Sequence, residues 1–224
     1  MAGTSRRERL RQETTLEIRR TALDLLTHGG TDALTLRAIA REIGLTPSAL
    51  YAYFATRDDL LADVIDSIYE DLADHLDRAA ATADDGRHPV LVHGLAYREW
   101  ALEHRAMFAL IYGDPVPGYV RPTDGAGRAA EHRMCSALMR HVIRSPQPSG
   151  DDQEDLTWEF FEPTFRQAAL DLGAHPSDAA RALRAWGRMH GLLTLERNGH
   201  LGQVDDPGRL YEDEMRELVA ALTA

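Results

Sequence analysis

The sequence predicts an all-α fold in two parts, a small three-helix N-terminal unit followed by a larger helical domain. Ala and Leu account for 61 of the 224 residues, whereas Val and Ile account for only 15. Unbranched side chains favour helices and β-branched ones favour strands, so all-β and parallel-sheet folds are disfavoured. A chain of this length suits one or two domains. Helix start and stop signals recur along it, and no repeat or low-complexity tract interrupts them.

Cysteine use and hydropathy predict the compartment. The single cysteine, Cys135, cannot form an internal disulfide or a cysteine zinc cluster, which favours a reducing, intracellular setting. No apolar run approaches the roughly 18 residues that span a bilayer, and the first seven residues are followed by charge instead of the apolar core of a signal peptide. We therefore expect a soluble, cytoplasmic protein with no membrane partner and no cofactor.

Charge is unevenly distributed along the chain. The net charge is −11, but residues 1–57 carry +3 and the remainder carries −14. The N-terminal part is therefore the place where a polyanion such as nucleic acid could bind, unless so small an excess has no functional meaning. All 25 basic residues are arginines. Phosphate contacts would have to come from arginines, hydroxyl groups or backbone amides.

Two helices are predicted before residue 45. The first covers residues 8–28, with apolar residues at helical spacing, and ends at the glycine pair 29–30. Thr35 caps a second, short helix that ends at Gly44. Two more helices follow at once.

Clear start signals mark the third and fourth helices. Thr46 followed by Pro47 begins a helix that runs to about residue 54. The Thr46 hydroxyl can cap the helix, and a proline at the first helical position needs no amide hydrogen because that amide has no partner in the helix. Thr56 and Asp59 form a capping box for a helix that continues to about residue 80.

The segment from Ile39 to Tyr53 has the pattern of a helix-turn-helix. Ala40 is small where the backbones cross, Gly44 tolerates the turn, and apolar residues occupy both arms. In that unit the second helix enters the DNA major groove with its N-terminal residues facing the bases. The residues facing DNA would be Thr46, Pro47, Ser48, Ala49 and Tyr51. The alternative is an ordinary αα-corner inside a helical core.

The same region resembles the DNA-binding domain of TetR-type regulators. The resemblance covers roughly residues 10–65 and is carried by Thr35, Ile39, Ala40, Gly44, Leu50, Tyr51, Phe54 and the basic Arg57 before Leu60 and Leu61. Arg57 stands where a lysine is usual, and Ala52 stands where many members have a longer side chain. The resemblance implies that Thr35, Tyr51, Tyr53 and Arg57 contact phosphates, and that Arg37 and residues 46–49 approach bases.

The predicted domains are a DNA-binding domain at 1–57 and an effector-binding and dimerisation domain at 58–224. Residues 1–9 are predicted to be a flexible arm. Four arginines at the N-terminus could reach the minor groove or lie in a merely disordered terminus; they are Arg6, Arg7, Arg9 and Arg11.

More helices are predicted in the second domain. One long helix begins at Pro89 and leads into an apolar stretch that breaks after Tyr112. Another covers about 125–144, and residues 145–154 have the composition of a loop. Aromatic residues at helical spacing follow over 158–172, where Pro163 marks a kink or a helix start.

The segment 177–198 predicts a helix that packs closely against another. It resembles the penultimate helix of TetR-type regulators with a Trp-x-x-x-His-Gly C-terminal domain. The run 111–118 also resembles the sequence of such regulators. In such proteins this helix and the one before it, here about 156–172, form the dimer interface. The implied interface residues are Leu183, Trp186, Gly187, His190, Gly191 and Leu193, and the alternative is packing within one chain. A two-fold dimer would read a palindromic operator.

The effector pocket implied by the resemblance is apolar. Aromatic and sulfur side chains on the enclosing helices suit a hydrophobic or aromatic effector, although each could belong to the core. These residues are Trp100, Met107, Phe108, Tyr112, Met134, Trp158, Phe161 and Phe165. The resemblance further implies that effector binding tilts the helix at 57–80 and misaligns the two recognition helices, and the protein is predicted to be a repressor.

Catalysis is the weaker interpretation. Histidines at 88, 93 and 104, the pair His132 and Cys135, and the pair Glu159 and Glu162 could each be read as ligands or acid–base groups. No phosphate loop, metal motif or nucleophile elbow accompanies them, so we expect no enzyme and no metal site. The alternatives are a metal-sensing repressor and a helical small-molecule-binding or enzymatic module without a DNA role.

Overall fold

The computed structural model describes residues 5–84, 86–120, 126–145 and 156–223. Over these ranges it contains ten α-helices and no strand, which confirms the all-α prediction. The helices are α1 Arg6–Ala33, α2 Leu36–Glu42, α3 Pro47–Leu50, α4 Arg57–Thr82, α5 Pro89–Glu103, α6 Arg105–Tyr112, α7 Ala126–Arg144, α8 Pro163–Asp171, α9 Pro176–Arg197 and α10 Pro207–Thr223. None of the helices in the described ranges is long and apolar enough to cross a membrane. Residues 1–4 of the predicted arm and 146–154 of the predicted loop lie outside the described residues.

The start of α1 differs from the prediction. The hydroxyl of Ser5 accepts a hydrogen bond from the amide of Glu8 at 3.2 Å, and the Glu8 carboxylate accepts one from the amide of Ser5 at 3.1 Å. This capping box starts the helix at Arg6, so residues 6–9 of the predicted arm are helical. The four N-terminal arginines, Arg6, Arg7, Arg9 and Arg11, lie in the first turns of α1. Gly30 leaves the helical conformation at φ 66°, next to the predicted helix end.

The helix-turn-helix has the predicted caps. The hydroxyl of Thr35 accepts from the amide of Ala38 at 3.1 Å, and that of Thr46 accepts from Ala49 at 3.2 Å. Gly44 has a φ of +69°, the left-handed conformation that the turn requires. These contacts confirm the predicted starts of α2 and α3.

The third helix is shorter than predicted. It ends at Leu50 because the chain tightens into turns, in which the amide of Tyr53 donates to the carbonyl of Leu50 at 2.9 Å. The next helix begins as predicted, since Thr56 and Asp59 exchange hydrogen bonds of 2.9 and 3.0 Å between amides and side chains.

Two compact units divide the chain, and α4 contributes to both. The first holds residues 1–71 and 104–129, and the second holds 72–103 and 130–224. In the first, Ile18 of α1, Ile39 of α2 and Leu50 of α3 are fully buried together with the inner face of α4. A bidentate ion pair of 2.6 Å joins Arg19 on α1 to Asp63 on α4. The domain boundary predicted at residue 57 stays a prediction.

The second unit is built around α5, α9 and α10, which pack against one another. Gly94 allows this approach, since a Cβ there would lie 2.5 Å from the Met215 sulfur of α10. Arg98 of α5 forms a bidentate pair with Glu196 of α9 at 2.8 and 2.5 Å. The sequence analysis did not single out α10, although its buried side chains, Tyr211, Met215, Leu218 and Leu222, complete this core.

Two helices after residue 103, α6 and α8, start at a break in the helix and at a proline, respectively. The long helix predicted from Pro89 is interrupted at His104, whose φ and ψ of −108° and 52° are not helical, so α5 and α6 are separate. Pro163 is a helix start, because it is the first residue of α8. A single 3₁₀ turn at Trp158–Phe160 precedes it.

Candidate functional site

A hollow of about 350 Å³ lies in the first unit, where the start of α2, the end of α3 and the start of α4 converge. It is lined by Thr35, Leu36, Arg37, Tyr51, Ala55, Thr56 and Arg57. Four of the nine predicted DNA-contacting residues therefore meet in one concave surface. Two hydroxyls and two guanidinium groups in such a hollow can donate hydrogen bonds to phosphate oxygens.

The short helix α3 exposes its N-terminal residues. Thr46, Pro47 and Ser48 are exposed and Ala49 is half-buried, whereas Leu50 is fully buried. The hydroxyls of Thr46 and Ser48 lie 3.0 Å apart. Leu50 thus anchors the helix in the core while its first turn presents hydroxyl groups outward. This is the arrangement of a recognition helix, in which the N-terminal residues contact base edges.

The two tyrosines that were predicted to contact phosphates, Tyr51 and Tyr53, lie in different environments. Tyr51 is 53% exposed, so its ring and hydroxyl are open to contact with another molecule. Tyr53 is half-buried, and the guanidinium of Arg11 lies 5.3 Å from its ring centroid. Arg11 also donates to the carbonyl of Ala52 at 3.2 Å. Sequence reasoning missed this link, since residues 41 positions apart carry no local signal of contact.

Arg57 has a structural role that the sequence did not predict. Its Nε donates to the carbonyl of Leu34 at 3.1 Å, and Nη2 donates to that of Thr31 at 3.2 Å. Leu34 is the residue that caps α1, and the Thr31 carbonyl in its last turn also accepts from the amide of Leu34 at 3.2 Å, so Arg57 adds bonds at a helix end where carbonyls have few partners. Arg57 therefore stabilises the junction of α1 and α4 and also lines the hollow.

In the second unit α9 has an exposed apolar face. Leu183 is 45% exposed and Trp186 is 38% exposed. Gly187 and Gly191 are also exposed, and outside their own stretch of helix no atom of the described residues lies within 4 Å of the position of a Cβ on either. Leu170 of α8 and Leu195 of α9 are further exposed leucines. We call the face formed by Leu183, Trp186, Gly187 and Gly191 the α9 face.

The remaining two predicted interface residues differ from this group. The ring of His190 is half-buried and stacks on Trp186 with centroids 4.9 Å apart, and its Nδ1 lies 2.8 Å from the hydroxyl of Tyr97. Burial, followed by the charge of Arg197, lowers the pKa of His190. Leu193 is fully buried within the chain. It belongs to the core, so its assignment to an interface is wrong.

The predicted effector-pocket residues fall in both units. Met107, Phe108 and Tyr112 belong to the first unit, where the Phe108 and Tyr112 rings lie 4.9 Å apart. Trp100 and Met134 are buried in the second unit. Also in the second unit, three half-buried rings form a row with centroids 5.6 Å apart from one ring to the next; they are Trp158, Phe161 and Phe165.

No group of three or more potential metal ligands occurs among the described residues. The desolvation of its sulfur, followed by the charge of Glu131, raises the pKa of Cys135 to about 11.

Two family models match the chain. Residues 18–64 match the bacterial regulatory proteins of the tetR family, and residues 90–218 match the tetracyclin repressor-like C-terminal domain. The fold, the exposed recognition helix and these matches define a transcription regulator with a helix-turn-helix DNA-binding domain. The chain belongs to the TetR family.

Individual proteins support this assignment. The HTH-type transcriptional regulators Rv1816 of Mycobacterium tuberculosis and Mb1846 of Mycobacterium bovis are each 34% identical to the chain over 214 residues, which cover 88% of the chain and 87% of the relative. A solved structure of SCO4313, described as a regulatory protein, is 34% identical with a TM-score of 0.78, covering 96% of this chain and all of the other.

Two further solved structures share the fold. A protein of unknown function from Rhodococcus sp. RHA1 is 27% identical, with a TM-score of 0.66 and coverage of 92% and 96% of the two chains. The TetR family regulator PfmR of Thermus thermophilus is only 13% identical, with a TM-score of 0.52 over the same shares of both chains, and shows the fold alone. The family consists of transcription regulators, so the protein is not an enzyme.

Proposed function

We propose that this protein is a cytoplasmic, ligand-responsive repressor that binds a palindromic operator as a homodimer and is released by a small effector. The observation that carries the proposal is the convergence of Thr35, Arg37, Tyr51 and Arg57 in one hollow beside the exposed turn of α3. A hollow of hydroxyl and guanidinium groups fixes a DNA backbone in register, while the neighbouring helix reads the bases.

Each predicted DNA contact has a role in this proposal. Thr35, Tyr51 and Arg57 hold phosphate oxygens, and Tyr53 supports the backbone contact from its position beneath Arg11. Arg37 and the exposed start of α3 face base edges, where an arginine pairs best with guanine. Thr46, Pro47, Ser48 and Ala49 form that exposed start.

Dimerisation would cover the α9 face. Exposed Leu183 and Trp186 beside two glycines with open space form a flat apolar surface, which a second copy of the chain fits by two-fold symmetry. Two recognition helices would then bind half-sites one helical turn, about 34 Å, or a multiple of it apart.

Effector release requires a ligand with different affinities for the DNA-bound and free arrangements. The helix α4 is continuous from Arg57, which lines the DNA hollow, to Thr82 in the second unit. A ligand that contacts the second half of α4 can therefore act on its first half. The aromatic and sulfur residues predicted for the pocket remain candidates for contact with an apolar effector.

Fluorescence anisotropy tests the DNA proposal. The purified protein is titrated into labelled DNA from upstream of its own gene, with unrelated competitor DNA and a salt series. We expect binding that resists competitor and weakens steeply with salt. Binding no tighter than to unrelated DNA, both for this fragment and for every site recovered from a random-sequence pool, would contradict the proposal.

A further inference from the structure

A second cavity, of about 280 Å³, lies within the second unit between the end of α4, the start of α5 and the middle of α7. Its apolar walls are Leu76, Ala80, Ala83, Pro89, Val92 and Ala137, and its polar walls are Asp77, Asp84, Arg87, His93 and His141. None of the eight residues predicted for an effector pocket belongs to this lining. The cavity is thus a site that the sequence did not indicate.

Two histidine rings form its polar interior. His93 of α5 is only 8% exposed, and its ring centroid lies 6.3 Å from that of His141 on α7, edge to face. The Nδ1 atom of His141 is shielded from solvent and has no hydrogen-bond partner among the described residues. Buried polar atoms are almost always hydrogen-bonded. A small turn of the His141 side chain, which lines the cavity, would bring this unpartnered atom within reach of a polar group on a bound molecule.

Both imidazoles are uncharged at neutral pH. Burial, followed by the proximity of His141, lowers the pKa of His93 to about 4. Burial also lowers the pKa of His141 to about 4, with further contributions from the charges of Arg140, Arg144 and His88. A neutral imidazole offers one donor and one acceptor nitrogen. The interior of the cavity therefore presents neutral hydrogen-bonding groups among apolar side chains.

The charged lining residues lie on the exposed side of the cavity. Asp77, Asp84 and Arg87 are all exposed and carry both signs, and Asp77 also lies 3.4 Å from Arg133. An anionic ligand would lose its hydration against uncharged walls. A cationic ligand beside His141 would meet the same arginine charges that lower the pKa of that imidazole. An uncharged ligand avoids both penalties.

We propose that this cavity binds a small, uncharged, mostly apolar molecule bearing a hydroxyl group, which bonds to Nδ1 of His141. A hydroxyl can donate or accept, so it fits either tautomer of the imidazole. The apolar walls from Leu76, Val92 and Ala137 enclose the rest of the molecule. The proposal rests on the proposed function in one respect, that the bound molecule would be the effector. Leu76 and Ala80 belong to α4, the helix through which an effector would act on the DNA-binding part.

Four matched probes test the chemistry on the full-length protein: 4-ethylphenol, ethylbenzene, 4-ethylbenzoate and 4-ethylbenzylamine. Long-range ¹H–¹⁵N NMR of the histidine side chains follows Nδ1 of His141, and titration gives each affinity. We expect 4-ethylphenol to shift that nitrogen and to bind about tenfold more tightly than ethylbenzene, the value of one net hydrogen bond. The carboxylate and the amine should bind more weakly still.

Variants locate the site. His141→Phe should reduce the affinity for 4-ethylphenol about tenfold, to that of ethylbenzene, because it removes the hydrogen bond and keeps an apolar ring. Ala137→Phe should abolish binding of both probes by filling the cavity. His132→Phe, on an exposed position of the same helix, is the control and should leave both affinities unchanged.

Several outcomes would overturn the proposal. One is equal affinity for 4-ethylphenol and ethylbenzene. Another is tighter binding of the carboxylate or the amine than of 4-ethylphenol. The third is no shift at Nδ1 of His141 in the wild-type protein at millimolar 4-ethylphenol. Operator binding measured on the same samples separates the two proposals. A protein that binds 4-ethylphenol as expected but reads no DNA sequence supports the site and contradicts the repressor.

Discussion

At the scale of single residues, Arg37 and Arg41 form a natural pair for comparison. Both are exposed on α2 one turn apart, but only Arg37 lines the DNA hollow. Arg41 lies 3.6 Å from Glu42, an exposed pair that contributes little to stability. Neither substitution to glutamine should therefore unfold the protein, so a difference in DNA binding between them reports on contact.

Arg37→Gln should weaken operator binding by about tenfold to a hundredfold and relax discrimination at one base pair of each half-site. The measurement is anisotropy against the operator and its single-base variants. Arg41→Gln should change the affinity less than threefold. Equal losses for the two substitutions would mean that α2 contributes only general positive charge.

His93 makes stability depend on pH. Its pKa of about 4 in the folded chain lies below the value of about 6.5 for an unfolded chain. The unfolded state therefore binds more protons between these values, so the contribution of His93 is complete above pH 6.5 and is lost as the pH falls toward 4. Between pH 7.5 and 5.0 the loss should be about 2 kcal/mol, at about 1.4 kcal/mol per pKa unit.

Urea unfolding at pH 7.5 and 5.0 measures this contribution. His93→Leu should reduce the difference in unfolding free energy between the two pH values by about 2 kcal/mol. The exposed His132 provides the control, since His132→Leu should leave the difference as in the wild type. If His93→Leu has the same difference in unfolding free energy between the two pH values as the wild type, the buried imidazole is not the source of the pH dependence.

At the scale of elements, the turn between α2 and α3 depends on one backbone conformation. Gly44 has a φ of +69° with no atom within 4 Å of the position of a Cβ. Alanine there would be strained by its backbone alone, so Gly44→Ala should lower the unfolding free energy by about 1–2 kcal/mol. Thermal unfolding gives the change.

The matched control is Gly202→Ala, where the position of a Cβ is equally open and φ is not left-handed. It should change stability by no more than about 0.5 kcal/mol. A similar effect at both positions would remove the strain argument for the turn.

Local signals explain why some elements could be predicted. The caps at Thr35, Thr46 and Thr56 act over three residues, so sequence spacing was sufficient to place the starts of α2, α3 and α4. The start of α1 lies two residues before the predicted one because Ser5 and Glu8 form reciprocal bonds, which are also local.

Tertiary contacts explain what the sequence could not reveal. The family resemblance was sufficient to select the four residues of the hollow as candidates for DNA contact, but the bonds of Arg57 to the end of α1 span more than 20 residues. Leu193 shares a helical stripe with exposed Trp186, and only packing against other helices shows that it is buried. The cavity beside His93 and His141 likewise depends on how the distant α7 meets α4 and α5.

At the scale of the whole molecule, the α9 face predicts the oligomeric state. Trp186 and Leu210 are both 38% exposed, on α9 and α10 respectively, but only Trp186 belongs to that face. Placing a charge at the centre of an apolar interface leaves it buried without a partner. Trp186→Glu should therefore convert the dimer to a monomer, and Leu210→Glu should not.

Analytical ultracentrifugation at micromolar concentration measures this difference. A monomeric wild-type protein, or a Trp186→Glu variant that stays dimeric, would contradict the role of the α9 face. Since two linked recognition helices bind a palindrome far more tightly than one, the monomeric variant should also lose operator affinity.

The most direct test of the central claim, that the hollow and the exposed start of α3 read DNA, is selection from a random-sequence DNA pool. The wild-type protein should enrich a palindrome with half-sites one helical turn or a multiple of it apart. Tyr51→Ala, which removes an exposed side chain that lines the hollow, should enrich it poorly. No enriched sequence for the wild type, or equal enrichment by Tyr51→Ala, would contradict the account.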